Sequence, residues 1–232
     1  MMNILDELPK FFTFHTCIFF LKALGATFLL SATSCGVGFC AGFLAAVLRV
    51  TTSRPLLPVR IAAIGFVEFF RRVPPLVVLF LAFFAFNVFK FDIPIFSIAL
   101  VGLCFISTAF IAEIVRAGFE SVHNTQWEAA AAMNFGLVRM LLLVIIPQAW
   151  RVILPPAFTF FVGFIKDTAL ASQLGVVELT FSAKVFNDKG FAAFLCFGTV
   201  LVLYFILSYP LTRVGAWTEM HFTKRLVPSH KH

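Results

Sequence analysis

The sequence predicts an all-α integral membrane protein, with five transmembrane helices and a helix–turn–helix on the cytoplasmic face. Three observations predict it. The 232 residues have a mean hydropathy of +0.99, 61% are hydrophobic and only 12% are charged. A water-soluble core of this size cannot hide so much apolar surface. Five apolar runs approach or exceed the roughly 20 residues a helix needs to cross the hydrocarbon core. One short stretch, Thr-Gln-Trp-Glu-Ala-Ala-Ala-Ala-Met-Asn-Phe-Gly at 125–136, breaks the pattern with polar, alanine-rich sequence.

The expected spans are about 16–48, 61–89, 95–115, 150–165 and 191–211, within a single membrane domain covering 1–232. The first two exceed the necessary length, which requires tilt or a break. Pro74-Pro75 supply a break in the second. The first carries Gly38 and Gly42, a small-xxx-small pair that lets another helix approach closely, expected inside the chain. The N-terminal Met-Met-Asn-Ile-Leu-Asp-Glu-Leu-Pro-Lys has acidic residues before its lysine and no small-residue cleavage pattern, so the first run is expected to be retained as a helix.

Charge placement orients the bundle. With the N-terminus outside, every arginine (49, 54, 60, 71, 72, 116, 139, 151, 213 and 225) falls on the inner side with Lys224 and Lys231. Lys10, Lys22, Lys90, Lys166, Lys184 and Lys189 remain outside. The positive-inside rule selects this orientation, with the C-terminus in the cytoplasm. The net charge of +7 thus reads as topology control and does not call for a nucleic acid partner. The five cysteines lie in apolar runs without a Cys-x-x-Cys pair, so neither a disulfide nor a metal site is expected.

The segment between spans three and four, about 121–147, starts too polar to be a span. Thr125 and Glu128 match a capping box, which predicts a helix from about Gln126. Alanines 129–132 propagate it, and Asn134 or Gly136 can end it in the left-handed conformation. A second apolar helix from Leu137 to about Ile146 runs to Pro147. Such a surface helix either rests on the bilayer or docks a partner.

Ionisable groups inside lipid are costly and become candidates for function. Glu113 lies one helical turn from Arg116, and Glu68 stands at helical spacing from Arg71 and Arg72, so structural pairing is expected for both. Asp167 is expected either to cap a short helix, about Thr168 to Leu174 ending at Gly175, or to hold the cationic group of a substrate. Ser107 and Thr108, in the middle of the third span, offer hydroxyl contacts. Patterns of hydrolytic or metalloprotease chemistry are missing from the sequence, so no enzyme activity is expected. A channel or ion-coupled secondary transporter using Glu68, Glu113 and Asp167 is the alternative that these residues leave open.

Residues 128–149, Glu-Ala-Ala-Ala-Ala-Met-Asn-Phe-Gly through Ile-Ile-Pro-Gln-Ala, resemble the EAA loop of ATP-binding-cassette importer permeases. Residues 67–80, 107–130 and 165–179 resemble the polar amino-acid subfamily of those permeases, in order and over nearly the whole chain. The resemblance implies a type I importer permease of the inner membrane, paired with an identical subunit or a close paralogue. It implies two separate ATPase subunits that bind ATP and magnesium, an extracytoplasmic solute-binding protein and a polar amino-acid substrate, with no cofactor on this chain. The absence of a Gly-x-x-x-x-Gly-Lys-Ser/Thr loop agrees with that division.

The resemblance assigns ATPase coupling to Trp127, Glu128, Ala129, Ala130, Asn134 and Gly136. The residues themselves offer Ser107, Thr108, Asp167 and Thr168 as the substrate pathway, while the resemblance makes the Glu68–Arg71 stretch an inner gate or clamp, with Glu113 and Arg116 as gate or structural residues. The carboxylates lean towards a basic substrate such as arginine, lysine or histidine over glutamine. Three positions depart from the family pattern. Asn134 stands where the loop glycine is usual, Ile145-Ile146-Pro147 replaces Ile-Leu-Pro, and Ile106 stands where Asn is frequent.

Overall fold

The computed structural model describes residues 4–51 and 54–223. Lys224, Arg225 and Lys231, expected in the cytosolic tail, lie outside the described residues. The chain forms ten α-helices among the described residues: α1 Ile4–Phe11, α2 Phe14–Val50, α3 Leu57–Arg72, α4 Pro75–Val88, α5 Ile95–Glu120, α6 Asn124–Ala132, α7 Leu137–Met140, α8 Ile146–Asp167, α9 Leu179–Asp188 and α10 Ala193–Thr223. No strand occurs among them. Four helical stretches are long and apolar enough to cross a membrane, namely α2, α5, residues 137–174 and α10; α3 and α4 make a fifth if counted as one bent span.

The bend between α3 and α4 is 115°. Its cause is local. Pro75 offers no N–H to the turn before it, and the residue preceding a proline is driven out of the α region. Val73 and Pro74 are accordingly extended, with ψ of 135° and 133°.

The centre of the molecule is the α2–α5 pair. Gly38 and Gly42 are buried against α5. A Cβ on Gly42 would sit 2.8 Å from the Thr108 carbonyl oxygen and 2.9 Å from the Ala112 nitrogen; one on Gly38 would meet the Ser107 Cβ at 2.6 Å. The small-residue pair therefore works within this chain, where dispersion between closely approaching backbones drives association in lipid. Gly42→Leu is expected to destabilise the fold by about 3 kcal/mol or more, because backbone on the facing helix cannot move aside as a side chain can. Fluorescence-detected size-exclusion after graded heating measures it; an unchanged midpoint would contradict this packing.

Three apolar clusters surround that pair. Leu30, Leu79, Leu103, Ile106 and Phe164 join α2, α4, α5 and α8. Ala46, Ile111, Phe119, Ile145 and Ile153 hold the C-terminal parts of α2 and α5 against the start of α8. Phe11, Phe20, Phe186 and Cys196 pin α1 beneath the α9–α10 turn. There Glu7 accepts a hydrogen bond from the Ala192 amide at 2.8 Å, just before α10 begins. A carboxylate at that helix end satisfies an orphan donor and meets the positive end of the dipole.

The expected stop at Pro147 does not occur. Residues Leu141–Ile145 form a π turn that carries α7 into α8 without a break, so the fourth span starts near Leu137 and not near Trp150. A π turn inserts one extra residue. That gives the proline ring, which lacks an N–H, room beside the preceding carbonyls. Beyond α8, Thr168–Leu174 form a 3-10 turn ended by Gly175 at φ +90°. Val176 N–H returns to the Ala171 carbonyl, closing the last turn.

Candidate functional site

Helix α6 is the polar island of the sequence. Its start differs from the expected capping box. His123 is the N-cap, with ψ 139°, and its ring Nδ1 accepts from the Thr125 amide at 3.3 Å and lies 2.9 Å from the Thr125 Oγ1. Buried Val122 anchors the chain just before it, so the helix begins at Asn124 and Thr125 falls inside the first turn. Glu128 is exposed and makes no hydrogen bond or ion pair among the described residues.

The alanines do not share one face. Ala130 is turned inward, 1% exposed, and Trp127, one turn earlier, packs against the inner apolar cluster. Ala129, Ala131, Ala132 and Glu128 face outward. The result is a small-residue surface on a helix seated by its opposite side. Asn134 ends it with φ +57°, donating its N–H to Ala131, while Phe135 N–H returns to Ala130. Asn takes the left-handed conformation more readily than most residues, because its short amide can bond locally. Gly136 has φ −66° and serves as the N-cap of α7.

The structure gathers Glu68, Arg71, Glu113 and Arg116 into one network where the C-terminal parts of α2, α3 and α5 meet. Glu113 is the hub. It meets Arg116 at 2.5 Å, Arg49 at 2.9 Å and Arg71 at 3.3 Å. Glu68 pairs with Arg72 at 2.7 Å and approaches Arg49 at 3.8 Å. Arg116 also pairs with Glu120. Helices α2, α3 and α5 are thereby tied by charge. Arg49 was not singled out by sequence reasoning, since it lies 64 residues from Glu113; a basic residue ending a long span was the signal available.

The four pathway candidates lie as two adjacent pairs, Ser107-Thr108 on α5 and Asp167-Thr168 at the end of α8. Ser107 is fully buried between α5 and α2, donating to the Ser34 carbonyl at 2.7 Å. Thr108 is 9% exposed in the same interface. Thr168 is buried, and its hydroxyl donates to Ile165 at 2.7 Å. Asp167 is exposed and makes no cap bond to the turn it precedes, so of its two expected roles the cap is not observed.

A buried carboxylate outside the candidates also emerges. Glu178 is fully buried, caps α9 by accepting the Phe181 amide at 2.8 Å, and receives the Tyr204 hydroxyl at 2.8 Å. Burial pushes its pKa up, opposed by those donors. The neighbouring Leu179 amide donates to Thr27 on α2 at 3.2 Å. This joins α2, α9 and α10, and its signal in sequence was a glutamate shortly after the turn at Gly175.

Comparison with known proteins places this arrangement in context. The family model described as binding-protein-dependent transport system inner membrane component matches residues 38–217. The probable amino-acid ABC transporter permease protein PatM of Vibrio harveyi is 35% identical over 165 residues, 70% of this chain and 74% of that protein. The probable glutamine ABC transporter permease protein GlnM of Bacillus subtilis is 30% identical, covering 80% and 85%. The L-cystine transport system permease protein TcyB of the same organism is 33% identical, covering 76% and 75%. Among solved structures, an amino acid ABC transporter crystallised with histidines superposes with a TM-score of 0.81 at 25% identity, covering 95% of this chain and 99% of that one. The inward-facing MetNI methionine transporter shares the fold, with a TM-score of 0.75 at 20% identity and coverage of 90% and 99%.

Proposed function

The chain belongs to the family of binding-protein-dependent transport system inner membrane components, and from that premise we propose that it is the permease subunit of an ATP-driven importer of a polar amino acid. The carrying observation is the family match over 38–217, joined by relatives named as amino-acid permeases. Glutamine and cystine both occur among those names, so a preference for arginine, lysine or histidine rests on this chain's own exposed carboxylate, Asp167.

In this reading two copies, or this chain and a close paralogue, form the pathway in the inner membrane, with N-termini outside. A solute-binding protein delivers the amino acid at the outer face. Two ATPase subunits, which hold ATP and magnesium, dock on the outward face of α6, where Glu128 and Ala129 lie. Their closure draws the α6 helices together, and the rigid connection through the π turn into α8 carries that motion into the bundle. The network around Glu113 holds the inner ends of α2, α3 and α5 as a gate or clamp.

Reconstitution with the partner ATPase and binding protein tests the reading: uptake of labelled amino acid should require ATP. Uptake that persists without ATP and collapses with the ion gradient would overturn it in favour of an ion-coupled carrier. The structure argues against that alternative in one respect, since Glu68 and Glu113 are both engaged by arginines. Within the importer, Asp167→Asn is expected to slow arginine uptake about tenfold, the scale of one charge-assisted hydrogen bond, and to leave glutamine uptake within about twofold. Equal losses for the two substrates would refute charge recognition at Asp167.

A further inference from the structure

We propose that a pocket at the inner end of the bundle binds a phosphate-bearing anion through Arg49, Arg60 and Arg116. The pocket encloses about 580 Å³ between the inner ends of α2 and α5, helix α3 and the start of α6, and Asn124 and Trp127 complete its wall on the α6 side. Its one acidic lining residue is Glu120.

The charge is not balanced among the described residues. The ion-pair network joins four guanidinium groups, of Arg49, Arg71, Arg72 and Arg116, to three carboxylates, of Glu68, Glu113 and Glu120. Arg60 adds a fifth positive charge. Its Nη1 donates only to the Thr51 carbonyl at 3.3 Å, and no carboxylate lies within ion-pair distance of it among the described residues. Arg60 is half-buried, so part of its charge is withdrawn from water without a compensating anion. Arg116 is already held through its guanidinium nitrogens by Glu113 and Glu120, and Arg49 by Glu113, so Arg60 brings to this volume the N–H groups not engaged by a carboxylate, in a fork that matches phosphate oxygens.

Position supports this chemistry. In the orientation proposed above the pocket lies at the cytosolic membrane boundary, where basic pockets between helices take up lipid headgroups. Leu57, Val59 and Ile61 are exposed on the first turns of α3, with Leu56 just before them, a surface suited to acyl chains beside a seated headgroup. The same three arginines would also hold inorganic phosphate. Binding to the isolated chain does not depend on transport, so failure here and failure of the importer reading are distinguishable.

The test is calorimetric titration of the purified full chain in phosphatidylcholine nanodiscs. One arm adds short-chain phosphatidylglycerol and the other inorganic phosphate. Arg60→Gln is expected to weaken binding about fivefold, the effect of one basic residue on an anionic headgroup. Arg60→Lys should recover most of it, and Arg139→Gln, at an exposed arginine away from the pocket, should stay within about twofold. An Arg60-dependent response to phosphatidylglycerol alone assigns a lipid headgroup. The same response to phosphate assigns a soluble anion. An equal loss in Arg60→Gln and Arg139→Gln would overturn the site as nonspecific surface charge. So would an Arg60→Gln chain that binds both probes normally, or one whose sole defect is weaker retention of the ATPase subunit.

Discussion

Glu113→Gln is expected to abolish most uptake, by about tenfold or more, and to destabilise the protein by about 2–3 kcal/mol. The estimate starts from the cost of breaking a buried ion pair and is lowered because the Glu113 side chain is 20% exposed. Without the hub carboxylate, Arg49, Arg71 and Arg116 converge on a neutral amide, and their mutual repulsion spreads the inner ends of α2, α3 and α5. The double variant Glu113→Gln with Arg49→Gln removes one of the repelling charges and should recover about half of the lost stability. Thermal unfolding in detergent reads the stability, and uptake in proteoliposomes reads the transport. A single variant as stable as the parent would show that the network contributes nothing to the clamp. A double variant less stable than the single one would show that Arg49 stabilises through other contacts.

The second large effect is expected on α6. Ala129→Arg places a long cation on the outward face and should lower substrate-stimulated ATP turnover of the assembled complex at least tenfold, while the helix itself remains seated through Trp127 and Ala130. Ala130→Arg is a different experiment. Ala130 is 1% exposed, so its substitution unseats α6 and removes the folded chain before docking can be judged. Pull-down of the ATPase subunit separates the two. Ala129→Arg should yield folded permease that retains little ATPase, whereas unchanged retention and turnover would exclude the outward face of α6 as the docking surface. Glu128→Ala removes an exposed carboxylate with no partner among the described residues, so a loss of turnover is expected to report a contact with the ATPase subunit.

Local chemistry made much of the fold legible. The break at Pro74-Pro75 follows from a missing N–H and a restricted preceding residue. The ends of two helical pieces follow from Gly175 and Asn134, residue types that tolerate positive φ. Pairing of Glu113 with Arg116 follows from helical spacing alone.

What sequence reasoning misplaced depended on neighbours distant in the chain. His123 displaced Thr125 as cap because burial of Val122 fixes where the chain turns. Pro147 failed to end its helix because a π turn gave its ring room. Ser107 donates to the Ser34 carbonyl across the α2–α5 contact, a partner 73 positions away. Only packing against Gly38 places it there.

The sequence by itself determined that this chain lives in lipid and which family it joins. Hydropathy, charge asymmetry and motif order are properties of the chain read in one dimension. The tertiary structure alone decided which face of α6 looks outward, that Arg49 completes the Glu113 hub and that Arg60 has no counter-ion among the described residues. Those are relations between residues up to 64 positions apart. No local propensity encodes them, since they arise only when close-packed helices bring the distant groups within bonding distance.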